Sequence, residues 1–95
     1  MRRNRLFYLY VLRCRDGSFY TGMTDDISAR LEEHRRGVGN DYTRRRLPVF
    51  LVYHEPHASK RIARARERQV KGWSRRKKLL PIRGLLPPPI STDSR

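Results

Sequence analysis

The feature that most constrains this chain is a short break between two apolar, aromatic runs. Leu6–Cys14 and Ser18–Met23 are rich in aromatic and β-branched residues, and Arg15-Asp16-Gly17 separates them. Asp-Gly in that setting signals a β-hairpin. Register then decides what the hairpin can do, because side chains alternate faces along a strand. A two-residue Asp16-Gly17 turn would set Arg13 opposite Tyr20 and send Tyr10 and Tyr20 to opposite faces. A three-residue loop instead pairs Cys14 with Ser18 and gathers Tyr8, Tyr10, Tyr20 and Gly22 on one face. Such a loop ends in a left-handed residue with a bulge, a conformation glycine adopts without steric cost. The sequence therefore predicts a positive φ at Gly17, with Tyr10 and Tyr20 on one face of the hairpin.

The remaining elements follow from caps and periodicity. Thr24-Asp25-Asp26 offers N-cap candidates, and Ile27, Leu31 and His34 recur at helical spacing up to Gly37. Residues 37–46 read as a polar, basic loop. Pro48–Tyr53 reads as a third strand, on an edge because proline cannot donate to a ladder. Ser59 caps a long helix running to about Gly72, with Ile62, Ala65 or Arg66, Gln69 or Val70, and Trp73 marking a partly buried stripe. Ser74 opens one or two further turns, stopped by Pro81. The order is β-β-α-β-α-α, an α+β fold with a three-stranded antiparallel sheet flanked by helices. Residues 1–80 form the domain; residues 81–95, with Pro87-Pro88-Pro89, are expected to be a flexible tail.

Composition narrows the partners. Lys and Arg number 23 against 9 acidic residues, for a net charge of +14. Such an excess calls for a polyanion, and nucleic acid is the commonest one. A membrane surface is the rival, but Lys60–Lys71 offers only Ile62, Val70 and small alanines as an apolar face. No apolar run approaches the ~20 residues that span a bilayer, and there is no secretory signal pattern. Cys14 is the lone cysteine, which excludes a disulfide framework or a cysteine-rich metal site. The expected setting is cytoplasmic, with no obligate protein partner. His54-x-x-His57 lacks further ligands at metal spacing and reads as exposed loop histidines.

Charge is also unevenly spread. Between Lys60 and Lys78 there are ten basic residues and one acid, Glu67. Glu67 lies three residues after Arg64 and four before Lys71, positions that make helix-surface ion pairs worth ~0.2–0.5 kcal/mol each. A Mg²⁺ ligand is the sharper reading, since Mg²⁺ often takes one or two carboxylates and completes its shell with water and phosphate. Arg30 and His34, four apart, share a helix face. Tyr42-Thr43-Arg44-Arg45-Arg46 interleaves an aromatic with cations, as a phosphate-contact loop would. Trp73 reads as a core anchor.

Tyr8-Leu9-Tyr10, then Tyr20-Thr21-Gly22, then Arg30-x-x-x-His34, then Glu67 on a later helix resembles the GIY-YIG nuclease superfamily. Leu9-Tyr10-Val11-Leu12-Arg13-Cys14, Asp16-Gly17-Ser18-Phe19-Tyr20-Thr21-Gly22, Tyr42-Thr43-Arg44 and Lys71-Gly72-Trp73-Ser74-Arg75 resemble its small single-domain members in particular. The likeness runs from about Leu6 to Leu80. It implies a sheet-and-helix fold like the one above and a metal-dependent endonuclease acting on DNA, with one Mg²⁺ or Mn²⁺ ion. The roles it implies are Tyr10 and Tyr20 around the attacking water, Arg30 on the scissile phosphate, His34 beside them and Glu67 on the metal. Tyr42, Arg44, Arg45, Lys60, Arg64, Lys71, Arg75 and Lys78 would contact nucleic acid. The pKa of tyrosine, near 10, makes it a poor base at neutral pH, so neighbouring cations are expected to favour the phenolate. Tyr8 stands where the family name has glycine, Thr21 where it has isoleucine, and no late asparagine follows Glu67. A non-catalytic nucleic-acid-binding module of the same fold is the competing reading.

Overall fold

A computed structural model describes residues 5–82. Strand β1 spans Phe7–Cys14 and β2 spans Phe19–Thr24; helix α1 (Ile27–Arg35), a single turn α2 (Asp41–Arg44), strand β3 (Val49–His57), α3 (Lys60–Lys71) and α4 (Arg75–Ile82) follow. The sheet is antiparallel in the order β2-β1-β3, so β1 is central. A central strand is covered on both faces, and β1 is accordingly apolar in both registers. Tyr10, Leu12 and Cys14 face one layer with Val49, Tyr20, Ile27 and Leu31. Leu9 and Val11 face the other with Val70, Phe19 and Trp73. Helix α1 thus lies over one face and α3 over the opposite one. Trp73 is the anchor its spacing suggests, half-buried in the second layer.

The hairpin has the three-residue loop. Tyr10 pairs with Gly22 and Leu12 with Tyr20, and the Cys14 amide donates to the Ser18 carbonyl at 2.9 Å. Gly17 has φ +84°. Asp16 secures the loop by accepting from the Ser18 amide and hydroxyl, at 3.0 and 2.6 Å.

Caps set the helices where the sequence places them. The Asp26 carboxylate accepts from the Ala29 amide at 3.0 Å to start α1, and Ser59 Oγ accepts from the Ile62 amide at 3.3 Å to start α3. Each such cap is worth about 1 kcal/mol.

Three expectations need correction. Strand β3 continues past Tyr53 to His57, so His54 and His57 lie on a strand and not in a loop. A bulge beside Val11 and Leu12 keeps the longer strand in register with β1. The extension is held by Glu55, which lies 5% exposed and accepts from Arg66 Nε at 2.7 Å, from the Tyr53 hydroxyl and, at 2.9 Å, bonds His57 Nε2. Burial pushes the Glu55 carboxyl up, but the hydrogen bonds from Arg66, Tyr53 and His57 together hold it below the usual range. Within the expected loop 37–46, Asp41–Arg44 forms a helical turn capped by Asn40. Helix α4 runs through Pro81 to Ile82, the last described residue, so the missing backbone donor of that proline does not stop the helix at residue 80. The tail beyond Ile82 lies outside the described residues.

Candidate active site

Helix α1 and the hairpin converge on the hydroxyl of Tyr10. The ring comes from central β1 and crosses Gly22 of β2, where even a methyl group would stand 2.5 Å from Cζ and from the hydroxyl oxygen. His34 is fully buried and sets Nε2 2.9 Å from that hydroxyl. One turn earlier, Arg30 donates Nε–H to the same oxygen at 3.3 Å. Tyr20 shares the face, its ring 6.4 Å from that of Tyr10 and 5.3 Å from that of His34. Four of the five expected residues therefore meet at one point. The Tyr20 hydroxyl itself makes no hydrogen bond among the described residues.

Arg30 is partly committed. Nη1 donates to Glu33 at 2.8 Å and Nη2 to the Gly39 carbonyl at 3.4 Å. A guanidinium has five N–H groups, so two remain, one on each terminal nitrogen. The Glu33 hydrogen bond, above all, raises its already high pKa, and it stays a fixed cation.

Glu67 arrives from the opposite layer. Its side chain is 19% exposed and pairs with Lys71 Nζ at 3.2 Å, which is the helix-surface pairing its spacing allows. It bonds neither tyrosine, yet its charge reaches Tyr10, where it opposes ionisation. Among the described residues no three His, Cys, Asp or Glu side chains cluster as a metal cage. A closed zinc-type centre is thus absent from that set. A one-carboxylate Mg²⁺ site, filled out by water and phosphate, asks only for Glu67 and fits what is present.

Proton affinities differ from the expectation of a phenolate. Burial pushes the Tyr10 phenol up to about 12, and the Arg30 hydrogen bond only partly offsets it. Tyr10 is neutral at physiological pH. His34 moves the other way: burial, then the charge of Arg30, lowers its pKa. A neutral imidazole and a neutral phenol therefore share a hydrogen bond beside a permanent cation.

The expected nucleic-acid contacts divide into engaged and free. Arg44 pairs with Asp41 at 2.9 Å and Lys71 with Glu67. Tyr42 has one face covered by the Arg46 guanidinium, 3.8 Å from its centroid; the Tyr20 ring lies 6.0 Å away, and its hydroxyl bonds Ser18 Oγ at 2.8 Å. Tyr42 is thus held in place by its neighbours while staying 37% exposed. Arg45, Lys60 and Arg64 are exposed. Lys78 is half-buried, and burial, then the nearby Lys71, lowers its pKa. The Arg75 side chain lies outside the described set.

Sequence reasoning missed Gly39, Asn40 and Thr43. Thr43 is fully buried, its Oγ1 2.8 Å from His34 Nδ1, and Asn40 Oδ1 accepts from both the amide and the hydroxyl of Thr43. The one available signal was Asn40-x-x-Thr43, the spacing of an N-cap and its third helical residue.

Comparison with known proteins agrees with this architecture. Residues 6–79 match the GIY-YIG catalytic domain. A UPF0213 protein of Streptococcus sanguinis is 51% identical over 76 residues, covering 80% of this chain and 87% of its own. One from Bacillus pumilus is 52% identical over 75 residues, covering 79% and 76%. The solution NMR structure of a UPF0213 protein from Bacillus halodurans superimposes with a TM-score of 0.54 at 44% identity, over 82% of this chain and 83% of that one. The solution NMR structure of the protein EF2693 from E. faecalis gives 0.59 at 37% identity, over 87% and 88%. With a family model matched over most of its length and relatives about half identical to it, the chain belongs to the GIY-YIG catalytic domain family.

Proposed function

We propose that the protein is a cytoplasmic endonuclease, dependent on Mg²⁺ or Mn²⁺, that hydrolyses phosphodiester bonds in DNA. The observation that carries this reading is the Tyr10 hydroxyl held between Arg30 and His34 with Tyr20 alongside. Binding alone would need only surface cations, whereas a buried phenol hydrogen-bonded to a neutral imidazole is an arrangement for moving a proton. As water attacks phosphorus, the Tyr10 oxygen takes a proton from it while the phenolic proton passes to His34 Nε2. No free phenolate is needed, which reconciles the raised phenol pKa with a role as base. The two remaining N–H groups of Arg30 suit phosphoryl oxygens, since a planar fork matches their geometry. Glu67 would hold the divalent ion, which when bound supplies Lewis-acid stabilisation of charge on the phosphoryl and leaving oxygens. Arg45, Lys60 and Arg64 offer backbone phosphates exposed positive charge. No helix among the described residues is long and apolar enough to cross a membrane.

The test is to incubate the full chain with Mg²⁺ or Mn²⁺ and a panel of duplex, single-stranded, flap and branched DNA. Removal of a group that holds the ion should cost on the order of 100-fold or more, the scale of a lost electrostatic stabiliser. Glu67→Gln should therefore lose that much cleavage while keeping or slightly tightening affinity, because it removes one negative charge from a cationic surface. Cleavage at the wild-type rate would make Glu67 only the ion-pair partner of Lys71. If the wild type binds every substrate and cuts none, the domain is a binding module, a reading that the Glu67–Lys71 pair also fits.

A further inference from the structure

We infer that Asn40 and Thr43 are positioning residues that fix the tautomer of His34, so that its Nε2 is the bare nitrogen facing Tyr10. This rests on the proton route just proposed, but its geometry stands apart from it. The direction of every hydrogen bond in the chain follows from one group whose polarity is beyond choice. A backbone N–H can only donate, so the Asn40 atom 2.9 Å from the Thr43 amide is its oxygen, Oδ1. That same oxygen lies 3.1 Å from Thr43 Oγ1 and can only accept, so the single hydroxyl hydrogen of Thr43 points at Asn40. Toward His34, 2.8 Å away, the hydroxyl then has only lone pairs to offer. Nδ1 must carry the ring proton. In the neutral ring Nε2 is therefore unprotonated, and the Tyr10 hydroxyl 2.9 Å away must be the donor.

The segment is built for this purpose along its length. Asn40 caps the single turn α2, and the turn brings Thr43 back beneath the ring. Gly39 lies flat against the imidazole, where any side chain would collide with Nδ1, Cγ and Cε1. The Gly39 carbonyl accepts from Arg30. Residues 39–43 thus hold both polar neighbours of Tyr10, Arg30 through the Gly39 carbonyl and His34 through Thr43. Without them the imidazole could carry its proton on Nε2, donate to the Tyr10 oxygen and block the transfer.

The tautomer can be read without any substrate, by long-range ¹⁵N–¹H NMR correlations of the His34 ring at neutral pH. Wild type and Thr43→Ser should show the proton on Nδ1. Thr43→Val, which keeps shape but accepts nothing, should shift it wholly or largely to Nε2. Asn40→Ala frees the Thr43 hydroxyl to rotate and should give a mixture, and it serves where Thr43→Val folds poorly. In cleavage, Thr43→Val should lower kcat by about 10²–10⁴-fold, the range of a general acid–base contribution, with KM little changed and Thr43→Ser restoring most of the rate. An Nδ1–H ring in both Thr43→Val and Asn40→Ala would overturn the inference, as would a loss of rate with no change of tautomer. If wild type cuts nothing while the tautomer shifts as described, the orienting role holds and the nuclease assignment falls.

Discussion

Gly22→Ala probes the site at its tightest contact. The added methyl carbon would stand 2.5 Å from Tyr10 Cζ and from its hydroxyl oxygen, and 3.0 Å from Cε2. Ordinary contact begins near 3.4 Å, so the ring tip must retreat by about 0.9 Å, the difference 3.4 − 2.5. Little room exists for that retreat, because Tyr10 is 2% exposed and lies between Tyr20 and His34. Overpacking of this kind costs about 1–3 kcal/mol. Replacing glycine within a strand returns roughly 0.5–1 kcal/mol. The net lies between about 0 and 2.5 kcal/mol and centres on a destabilisation of about 1 kcal/mol, or some 4–8 °C in Tm for a domain of this size. The rate should suffer more than stability. A displacement near 1 Å pulls the phenol off His34 and Arg30, and misplacement on that scale costs on the order of 10²-fold. Thermal melting and urea titration give the first quantity; single-turnover cleavage of whichever substrate wild type cuts best gives the second. A Gly22→Ala variant with wild-type Tm and wild-type rate would show that the Tyr10 ring does not cross β2 at this point, and the site as described would be wrong.

Two further outcomes concern stability alone. Glu55→Gln removes a buried negative charge and leaves the Arg66 side chain, 10% exposed, without its counter-ion; breaking a buried pair costs about 3–5 kcal/mol, so the urea midpoint should fall steeply, and a loss under about 1 kcal/mol would refute the pairing. Because the folded carboxyl is held below its unfolded value near 4.5, its contribution is complete above that pH and is lost as pH falls through the folded pKa, so the same variant should also show a flatter acid limb. Thr21→Val replaces a buried hydroxyl that has no partner among the described residues with a methyl of the same shape, and should raise stability by about 1 kcal/mol; a lower Tm would mean that the hydroxyl is bonded after all.

What could be read from the sequence was whatever rests on local chemistry. The Arg15-Asp16-Gly17 loop fixed the hairpin register because loop length and the alternation of faces leave few choices. Asp26 and Ser59 marked helix starts because a cap is recognisable within four residues. Two pairs of site residues were legible for the same reason, Tyr10 and Tyr20 across a hairpin and Arg30 and His34 on adjacent turns of α1, whereas the meeting of the two pairs followed only from the family resemblance. The far half of β3 was hidden, because His54, Glu55, Pro56 and His57 are poor strand formers. They are extended because Glu55 is clamped by Arg66, a residue from α3 whose contact no local pattern encodes. Asn40 and Thr43 escaped notice for a different reason. A single turn has no period to detect, and their value lies in a hydrogen bond to a histidine on another helix.

The Tyr10 phenol shows most clearly where charge counting stops being a guide. With 23 basic residues in the chain, a phenolate beside Arg30 looks natural, since an opposite charge at hydrogen-bond distance favours ionisation. Charge counts ignore position, and Tyr10 is on the central strand of the sheet, where both faces are covered. Desolvation there opposes the phenolate more strongly than one guanidinium favours it, and Glu67 and Tyr20 add to the opposition. The same burial acts in reverse on His34, since losing water disfavours the imidazolium and keeps the ring neutral. One environment thus makes the phenol a reluctant acid and the imidazole a ready hydrogen-bond acceptor, and it sets them 2.9 Å apart. In the proposed reaction the proton chemistry therefore belongs to the Tyr10–His34 pair and not to either residue alone. That is why the orientation of His34, set from behind by Thr43, matters as much as the cations in front.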